Sequence, residues 1–248
     1  VIVSLRENLL IMFAKYPTVG QVKTRMTKTE YSSIPIAVEE ATELYEAFLS
    51  DLIHRFAHTN HFSYQVRLGL ASSATQLEFA ERYQLQHDQI KQMPTHLSDL
   101  GELMEHCFRE SHQAGFSKTV LIGSDIPHLS IEEVKQAFVA LSQEPMVIGP
   151  DAGGGMYLIG YRTPLGILAD GIEWSRGEDC EAVQQLCKQQ KIKYRLLGTK
   201  QDFDTTDDIR QWYQQYLQFP QTKQKQCKTS LSTSFAKLEK IALVEGGF

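Results

Sequence analysis

The stretch Thr119-Val-Leu-Ile-Gly-Ser-Asp-Ile-Pro-His-Leu-Ser-Ile-Glu-Glu133 decides the fold of this 248-residue chain. It opens with a short apolar, partly β-branched run, the pattern of a strand buried on both faces. Pro127 prevents that strand from continuing, and Ser130 with Glu133 has the spacing of a capping box, so a helix is predicted to follow. Asp125 thus comes at the edge where open α/β sheets bind ligands. The alternative for Asp125 is a turn residue that bonds nearby backbone N–H groups.

A second apolar run, residues 9–14, predicts another central strand and leads into a basic loop. Pro17 and Gly20 force a turn there, and residues 9–29 contain no acidic side chain. A cationic, glycine-containing loop at a strand's carboxyl end can bind phosphate oxygens. The alternative is a solvated basic loop, but the order of strand, turn and basic residues favours phosphate binding. The basic residues are Lys15, Lys23, Arg25 and Lys28.

Helical and strand patterns alternate through the rest of the chain. Residues 36–56 have helical spacing and predict the crossover helix that parallel strands require. Residues 84–96 are polar and predict a surface loop. Further strands are predicted at residues 64–71, 146–149, 156–161 and 194–197.

Two further acidic positions, Asp204 and Asp151, follow predicted strands. Asp204 precedes a capping box formed by Thr205 and Asp208, so the helix start does not account for it. Asp151 precedes three consecutive glycines, which either let the backbone approach a ligand or form a hairpin turn. Asp125 and Asp204 are two separated carboxylates, and with a cationic loop on one sheet edge they suit a divalent cation holding a diphosphate, because Mg²⁺ takes one or two carboxylates plus phosphate oxygens and waters.

The composition is that of a soluble globular protein, with 42% hydrophobic and 22% charged residues. The net charge of −5 and a pI near 5.9 give no indication of a nucleic-acid partner. No apolar run is long enough to span a bilayer, and charges interrupt the first residues before a signal segment could form. The four cysteines show no C-x-x-C pairing, so a cytoplasmic location is expected.

The chain is predicted to divide near residue 220. Residues 1–219 carry the alternating pattern of one α/β domain of ordinary size. Residues 220–248 are predicted to be a polar linker and C-terminal tail, because residues 220–234 are rich in Lys, Gln, Ser and Thr. A short helix is compatible with residues 235–244.

Six motifs in this order resemble the bacterial selenodomain-associated transferase family, whose members are regarded as glycosyltransferases with the A-type nucleotide-diphospho-sugar transferase fold. The resemblance covers roughly residues 8–217 and implies a three-layer α/β/α Rossmann-like fold with a mixed, mostly parallel sheet. The ordered set is more specific than any single motif. The motifs are Phe13-Ala-Lys-Tyr-Pro-Thr-Val-Gly-Gln-Val-Lys-Thr-Arg-Met26, Asp99-Leu-Gly-Glu102, Gly123-Ser-Asp-Ile-Pro127, Gly149-Pro150 with Tyr157-Leu-Ile-Gly160, Ile172-Glu-Trp-Ser175 and Asp204-Thr-Thr-Asp-Asp208.

Carried over residue by residue, the resemblance implies a metal site and a nucleotide site. Asp125 takes the place of the metal-binding aspartate, and Asp204 is the second carboxylate for Mg²⁺ or Mn²⁺. Asp125 and Asp151 are the candidate catalytic residues, with Asp151 as a candidate general base. The predicted nucleotide-binding residues are Ala14, Lys15, Lys23, Arg25, Asp99 and Gly101. The three basic residues among them would contact the phosphates, and Asp99 and Gly101 would lie near the base or ribose.

Asp99 also has a simpler interpretation as the N-cap of a helix. Two departures from the family pattern fall where an acceptor or sugar is expected. The family usually has Asp-Gly-Gly-Tyr where this chain has Gly153-Gly-Gly-Met156, and Trp-Ser-Thr where it has Trp174-Ser-Arg176. Asp151 lies two positions before Gly153 and could substitute for the aspartate of the family, but this offset moves the carboxylate by several ångströms. Nucleotide binding can therefore survive while substrate choice or turnover differs.

The leading hypothesis is a metal-dependent glycosyltransferase that uses a nucleotide-sugar donor and a small-molecule acceptor. The alternative is a nucleotidyltransferase that joins a nucleoside triphosphate to a phosphorylated small molecule, because the Lys23-Thr-Arg25 segment resembles that of phospholactate guanylyltransferases. A third hypothesis is a degenerate, non-catalytic nucleotide-binding protein, in line with the departures at Gly153 and Arg176. No nucleic acid and no membrane span are expected, and a homo-oligomer is left open.

Overall fold

A computed structural model describes residues 6–69, 73–97, 99–169 and 171–244, which fold around one seven-stranded sheet. The strands are β1 (Arg6–Lys15), β2 (Ser63–Gly69), β3 (Ile90–Gln92), β4 (Phe116–Ile122), β5 (Met146–Pro150), β6 (Met156–Tyr161) and β7 (Tyr194–Leu196). Their order across the sheet is β3-β2-β1-β4-β6-β5-β7. Strand β6 is antiparallel to β4 and β5, and the other neighbours are parallel. The predicted mixed, mostly parallel sheet is confirmed.

Helices cover both faces of the sheet and make the predicted three layers. The helices are α1 (Val38–Phe56), α2 (Ser73–Arg82), α3 (Leu100–Gln113), α4 (Ile131–Gln143), α5 (Asp179–Gln189), α6 (Thr206–Leu217), α7 (Gln221–Ser230) and α8 (Phe235–Leu243). Buried residues of α1, α2 and α4 pack on one face, and those of α3 and α5 pack on the other. Of the helices within the described residues, none has the length and apolar character that crossing a membrane would require.

The central strands are apolar throughout because both of their faces are covered. Leu10 and Met12 of β1 face the side of α1 and α4, whereas Leu9 and Ile11 face the side of α3 and α5. All four side chains are at most 1% exposed. Complete burial of a side chain of this size stabilises the fold by about 1.5–3 kcal/mol, so these strands fix the sheet that carries the loops at its edge.

Two predicted capping boxes start helices directly after the candidate site segments. The Ser130 hydroxyl accepts a hydrogen bond from the Glu133 backbone N–H at 3.2 Å, and the Glu133 carboxylate accepts one from the Ser130 N–H at 2.9 Å. Thr205 and Asp208 make the equivalent pair at 3.2 and 2.7 Å before α6. The helix starts therefore anchor the chain a few residues after Asp125 and directly after Asp204.

The sheet extends further than the sequence predicts. Residues 84–96, predicted to be a surface loop, contain strand β3, which pairs in parallel with β2. The prediction was wrong because a three-residue edge strand has too few positions to show a pattern and is stabilised by its partner strand. The prediction of a strand at residues 64–71 is met by Ser63–Gly69, and its last two positions lie outside the described residues.

The predicted polar linker at residues 220–234 contains helix α7, so that part of the sequence prediction was wrong. Helix α7 has no buried residue, which is why its sequence shows no apolar stripe. It is anchored at its C-terminal residue, Ser230, instead. The guanidinium group of Arg55 in α1 donates hydrogen bonds to the carbonyls of Pro127 (2.6 Å), Leu129 (2.7 Å) and Ser230.

Helix α8 occupies the place where the sequence allows a short helix. The carboxylate of Asp51, itself 3% exposed, accepts hydrogen bonds from the Thr233 and Ser234 N–H groups at 2.8 and 3.0 Å. Leu238 and Ile241 of α8 are buried in a third apolar cluster, together with residues of α1 and α6. The division of the chain at residue 219 remains a prediction, and the C-terminal helices pack against α1 and α6.

Candidate functional site

The candidate site lies at one edge of the sheet, where four strands end. Lys15 is the last residue of β1, Asp125 follows β4, Asp151 follows β5 and Asp204 comes after β7. These four strands run in the same direction, so their carboxyl ends meet at the same edge. The topology thus brings together the basic loop and the carboxylates that the sequence singles out.

Lys23 joins the two carboxylates that the sequence predicts as metal ligands. Its ammonium nitrogen Nζ lies 2.5 Å from Asp125 Oδ1 and 3.5 Å from Asp204 Oδ1, and it donates a hydrogen bond to the Phe203 carbonyl at 2.6 Å. Arg25 contacts the other oxygen of Asp204, with Nη1 2.9 Å from Oδ2. In this structure two of the three basic residues predicted to bind phosphate, Lys23 and Arg25, are therefore paired with carboxylates.

The position of Lys23 depends on an uncommon backbone conformation. Its φ of +50° lies in the left-handed region, which costs a non-glycine residue about 1–2 kcal/mol. The side chain is only 4% exposed, and burial lowers the pKa of its ammonium group. The charges of Asp125 and Asp204 outweigh burial, so this pKa is above its ordinary value and Lys23 is charged.

The segment before α6 is held against both neighbouring loops. The Ala152 N–H donates to the Lys200 carbonyl at 2.8 Å, and the Phe203 N–H donates to the Asp125 carbonyl at 3.0 Å. Phe203 is completely buried, with its ring 5.8 Å from that of Phe48 and 5.4 Å from that of Trp212. The core thus fixes the backbone between the Asp151 loop and Asp125.

Asp202 belongs to this carboxylate group, and the sequence analysis missed it. Side chains alternate along an extended segment, so with Phe203 in the core both neighbouring aspartates point toward the site. A Cβ placed on Gly153 would lie 4.0 Å from Asp202 Oδ1. Burial raises the pKa of Asp202 to about 7, aided by the charges of Asp204 and Asp151. The Asp-x-Asp spacing around a large aromatic residue was the available signal.

Asp151 shapes the glycine loop. Its Oδ1 accepts hydrogen bonds from the Gly153 and Gly155 N–H groups at 2.8 and 2.9 Å. Burial raises the pKa of Asp151 above its ordinary value, although these two hydrogen bonds lower it. Within the described residues, no hydrogen bond reaches its Oδ2. This oxygen is therefore the one that remains for a ligand.

The middle glycine of this loop is required by packing. Gly154 has φ +87°, and a Cβ at this position would come within 1.9 Å of the Gly177 carbonyl oxygen. The Gly154 carbonyl in turn accepts a hydrogen bond from the N–H of Cys180 at 3.0 Å. The loop therefore packs on the turn that carries Arg176, whose exposed side chain pairs with Glu173 at 3.2 Å. The two departures from the family pattern lie on touching segments.

The remaining nucleotide-binding candidates do not join the Lys23 group. Lys15 is exposed, and its backbone N–H donates to the Tyr45 hydroxyl at 2.9 Å. Asp99 is the N-cap of α3 and accepts a hydrogen bond from the Glu102 N–H at 3.0 Å. Gly101 packs closely, since a Cβ there would lie 1.8 Å from the Leu168 carbonyl oxygen. Ala14 is buried at the end of β1. Their roles in nucleotide binding stay predictions.

Asp125 and Asp204 offer carboxylate oxygens, which are suitable ligands for Mg²⁺ or Mn²⁺, but two carboxylates supply only part of a coordination shell. Among the described residues no group of three or more His, Cys, Asp or Glu side chains is arranged to hold a metal ion. Two carboxylates suffice only when phosphate oxygens and waters complete the coordination shell. The residues therefore fit a metal ion that is bound together with a nucleotide.

The fold is that of the Rossmann-like nucleotide-diphospho-sugar transferases. A structure of a "putative nucleotide-diphospho-sugar transferase" from Desulfovibrio desulfuricans G20 matches with a TM-score of 0.77 and 24% identity, over 94% of this chain and 97% of that one. A 4-diphosphocytidyl-2C-methyl-D-erythritol synthase from Anaerococcus prevotii DSM 20548 matches with a TM-score of 0.51 and 11% identity, over 86% and 99%. At these identities the similarity shows the fold alone.

The sequence itself matches a family over about half of its length. Residues 56–176 match the family described as "Uncharacterized protein conserved in bacteria (DUF2064)". Together with the Desulfovibrio structure, this match confirms the family resemblance predicted from the motifs. Comparison with curated proteins gives no match.

Asp202→Asn is expected to stabilise the protein at pH 8 in the absence of nucleotide and metal. Between about pH 4 and pH 7 the folded protein holds a proton on Asp202 that the unfolded chain has lost, so stability falls as the pH rises through this range. A shift of the Asp202 pKa from 3.8 to about 7 corresponds to about 4 kcal/mol in the free energy of unfolding. Because the side chain is partly exposed, solvent screening reduces the expected effect to about 1–2 kcal/mol.

Urea unfolding at pH 4 and pH 8 measures this effect. The variant should gain stability over the wild type at pH 8 and not at pH 4. Asp88→Asn, on an exposed turn, is the matched control because it removes the same charge away from the site. Equal stability changes in the two variants would show that the surroundings of Asp202 have no such effect.

Proposed function

We propose that this protein is a metal-dependent transferase that uses a nucleotide-sugar donor. The proposal rests on one observation: Asp125, Asp204, Lys23 and Arg25 meet at the carboxyl edge of the sheet. The Lys23 ammonium nitrogen lies within 3.5 Å of both carboxylates, and the Arg25 guanidinium group lies 2.9 Å from that of Asp204. Two carboxylates and two cations from separate loops form a site for a metal ion and a diphosphate. The fold it shares with the Desulfovibrio structure supports the same class of donor.

In the proposed complex the basic loop binds the diphosphate of the donor. Lys15 is exposed at the strand end and is free to contact a phosphate, while Lys23 and Arg25 exchange a carboxylate for phosphate oxygens. Asp125 and Asp204 would hold Mg²⁺ or Mn²⁺, which would neutralise the negative charge of the diphosphate. Ala14, Asp99 and Gly101 are proposed to border the base and ribose.

The acceptor is proposed to enter beside the glycine loop. Its hydroxyl transfers a proton to Asp151 Oδ2, and its oxygen forms a bond to the anomeric carbon of the sugar. The bond from that carbon to the diphosphate breaks, and its electron pair leaves on the nucleoside diphosphate. Lys23 and Arg25 stabilise the charge of this leaving group. Burial raises the pKa of Asp151, which makes it a better base than an exposed aspartate.

Nucleotidyl transfer is the second candidate, because the basic loop could equally bind a triphosphate. The Anaerococcus synthase shares the fold, and its name describes a product that carries a cytidine diphosphate group. In that reaction the acceptor would be a phosphorylated small molecule, and pyrophosphate would leave. The two candidates use the same edge of the sheet and differ in the leaving group.

Product analysis separates these reactions. The protein is incubated with nucleotide sugars, or with nucleoside triphosphates and sugar phosphates, in the presence of Mn²⁺ or of a chelator. We expect Mn²⁺-dependent release of nucleoside diphosphate from one nucleotide sugar, by transfer to an added acceptor or to water. Release of pyrophosphate only from a triphosphate would favour nucleotidyl transfer. Binding without release of either product would favour the non-catalytic alternative.

A further inference from the structure

Lys23 uses all of its hydrogen-bonding capacity inside the protein. An ammonium group has three donors and no acceptor. Three oxygens lie around Nζ, from Asp125 at 2.5 Å, the Phe203 carbonyl at 2.6 Å and Asp204 at 3.5 Å. No donor is left for a phosphate while these contacts persist. Its predicted role at the nucleotide therefore requires that the side chain first leave Asp125.

The same contacts place a cation where a metal ion would have to bind. Lys23 lies between the two candidate ligands, and Arg25 pairs with the remaining oxygen of Asp204. The negative charges of both carboxylates are thus already balanced by side chains of the chain itself. A free divalent ion at these carboxylates would lie beside a buried ammonium group of like charge, and the two cations would repel each other.

From this geometry we infer that Lys23 occupies the cation position between Asp125 and Asp204 until a nucleotide binds. The divalent ion then enters together with the nucleotide, whose phosphates supply the negative charge that Lys23, Arg25 and the ion need. Lys23 moves from Asp125 to the phosphates in the same event. This second step rests on the proposed function, whereas exclusion of the free metal ion does not.

Two further features fit a built-in cation. The backbone of Lys23 adopts a left-handed conformation with φ +50°, which a flexible surface lysine has no reason to adopt. Its ammonium group also lies 5.7 Å from the centre of the Phe48 ring, a favourable cation–π distance. The surrounding structure therefore holds the charged end of Lys23 at this place.

The test measures binding of Mn²⁺ alone, by calorimetry without any nucleotide. Wild-type protein is expected to bind Mn²⁺ weakly, and Lys23→Gln at least about 10-fold more tightly, since the competing charge is gone. Lys188→Gln, at an exposed position in the last turn of α5, is the matched control because it removes the same charge away from the site, and it should behave as the wild type. Adding Asp125→Asn to Lys23→Gln should abolish the gain, which assigns the new site to this carboxylate.

The inference is overturned if Lys23→Gln binds Mn²⁺ no more tightly than the wild type. Should that variant fail to fold, Mn²⁺ binding by the wild type decides: tight binding of the free ion that Asp125→Asn abolishes would also refute the inference. Neither experiment contains a nucleotide. The result is therefore independent of whether nucleotide sugars prove to be donors, and a failure of the proposed function would not be mistaken for a failure of the Lys23 role.

Discussion

We expect Phe203→Ala to lower the free energy of unfolding by about 3–5 kcal/mol, the range for truncation of a fully buried aromatic side chain. Phe203 is completely buried, and its ring lies 5.2 Å from that of His128 and 5.4 Å from that of Trp212. These neighbours belong to helices and loops that pack on several sides, so the cavity cannot close easily. Chemical denaturation with urea measures the loss.

The same substitution should weaken ligand binding, because Phe203 fixes the backbone between Asp202 and Asp204. Its N–H donates to the Asp125 carbonyl, and its carbonyl accepts from Lys23. Phe203→Leu is the matched control, since it keeps an apolar side chain in the cluster and should cost clearly less. A loss below about 1 kcal/mol for the alanine variant would contradict the burial on which this account of the segment depends.

Asp125→Asn should weaken Mn²⁺-dependent binding of a nucleoside diphosphate by at least about 100-fold, or about 2.7 kcal/mol. The amide keeps the shape of the side chain and still offers an oxygen to Lys23, but it removes the charge that a metal ligand needs. The residue lies at a strand end and its side chain is 42% exposed, so the fold should persist. Calorimetry with UDP, GDP, ADP and CDP in Mn²⁺ measures the affinity.

Asp88→Asn again serves as the control with the same change of charge on an exposed turn, and its affinity should match the wild type. Circular dichroism and urea unfolding establish that Asp125→Asn is folded. A folded variant with unchanged nucleotide affinity would show that Asp125 takes no part in metal-dependent nucleotide binding. Its contact with Lys23 would then be structural only.

The central strands, their direction and the start of several helices were predictable from the sequence. Burial on both faces leaves continuous apolar runs such as residues 9–14, and capping boxes such as Ser130 with Glu133 are local patterns. Asp125 could be singled out because it follows such a strand and precedes such a box. The edge strand β3 and helix α7 were not predictable, since long-range contacts stabilise both and neither has an apolar stripe.

The partners of the site residues were predictable only in part. The sequence indicates that Lys23, Asp125 and Asp204 share one edge of the sheet, because each follows a strand. It does not indicate that Lys23 bridges the two carboxylates, since this depends on a left-handed backbone and on the packing of Phe203. The sequence also left helix capping and ligand binding open as roles for Asp99, and the structure shows that it caps α3.

The most direct test of the central claim is the thermal unfolding of the wild-type protein with a panel of nucleoside diphosphates and nucleotide sugars, in Mn²⁺ and in chelator. A ligand at about 100 times its dissociation constant adds about 2.7 kcal/mol, which corresponds to a rise of about 5–10 °C in Tm for a chain of this size. Such a rise is expected with at least one member of the panel, in Mn²⁺ and not in chelator. The absence of any metal-dependent rise across the panel would contradict it.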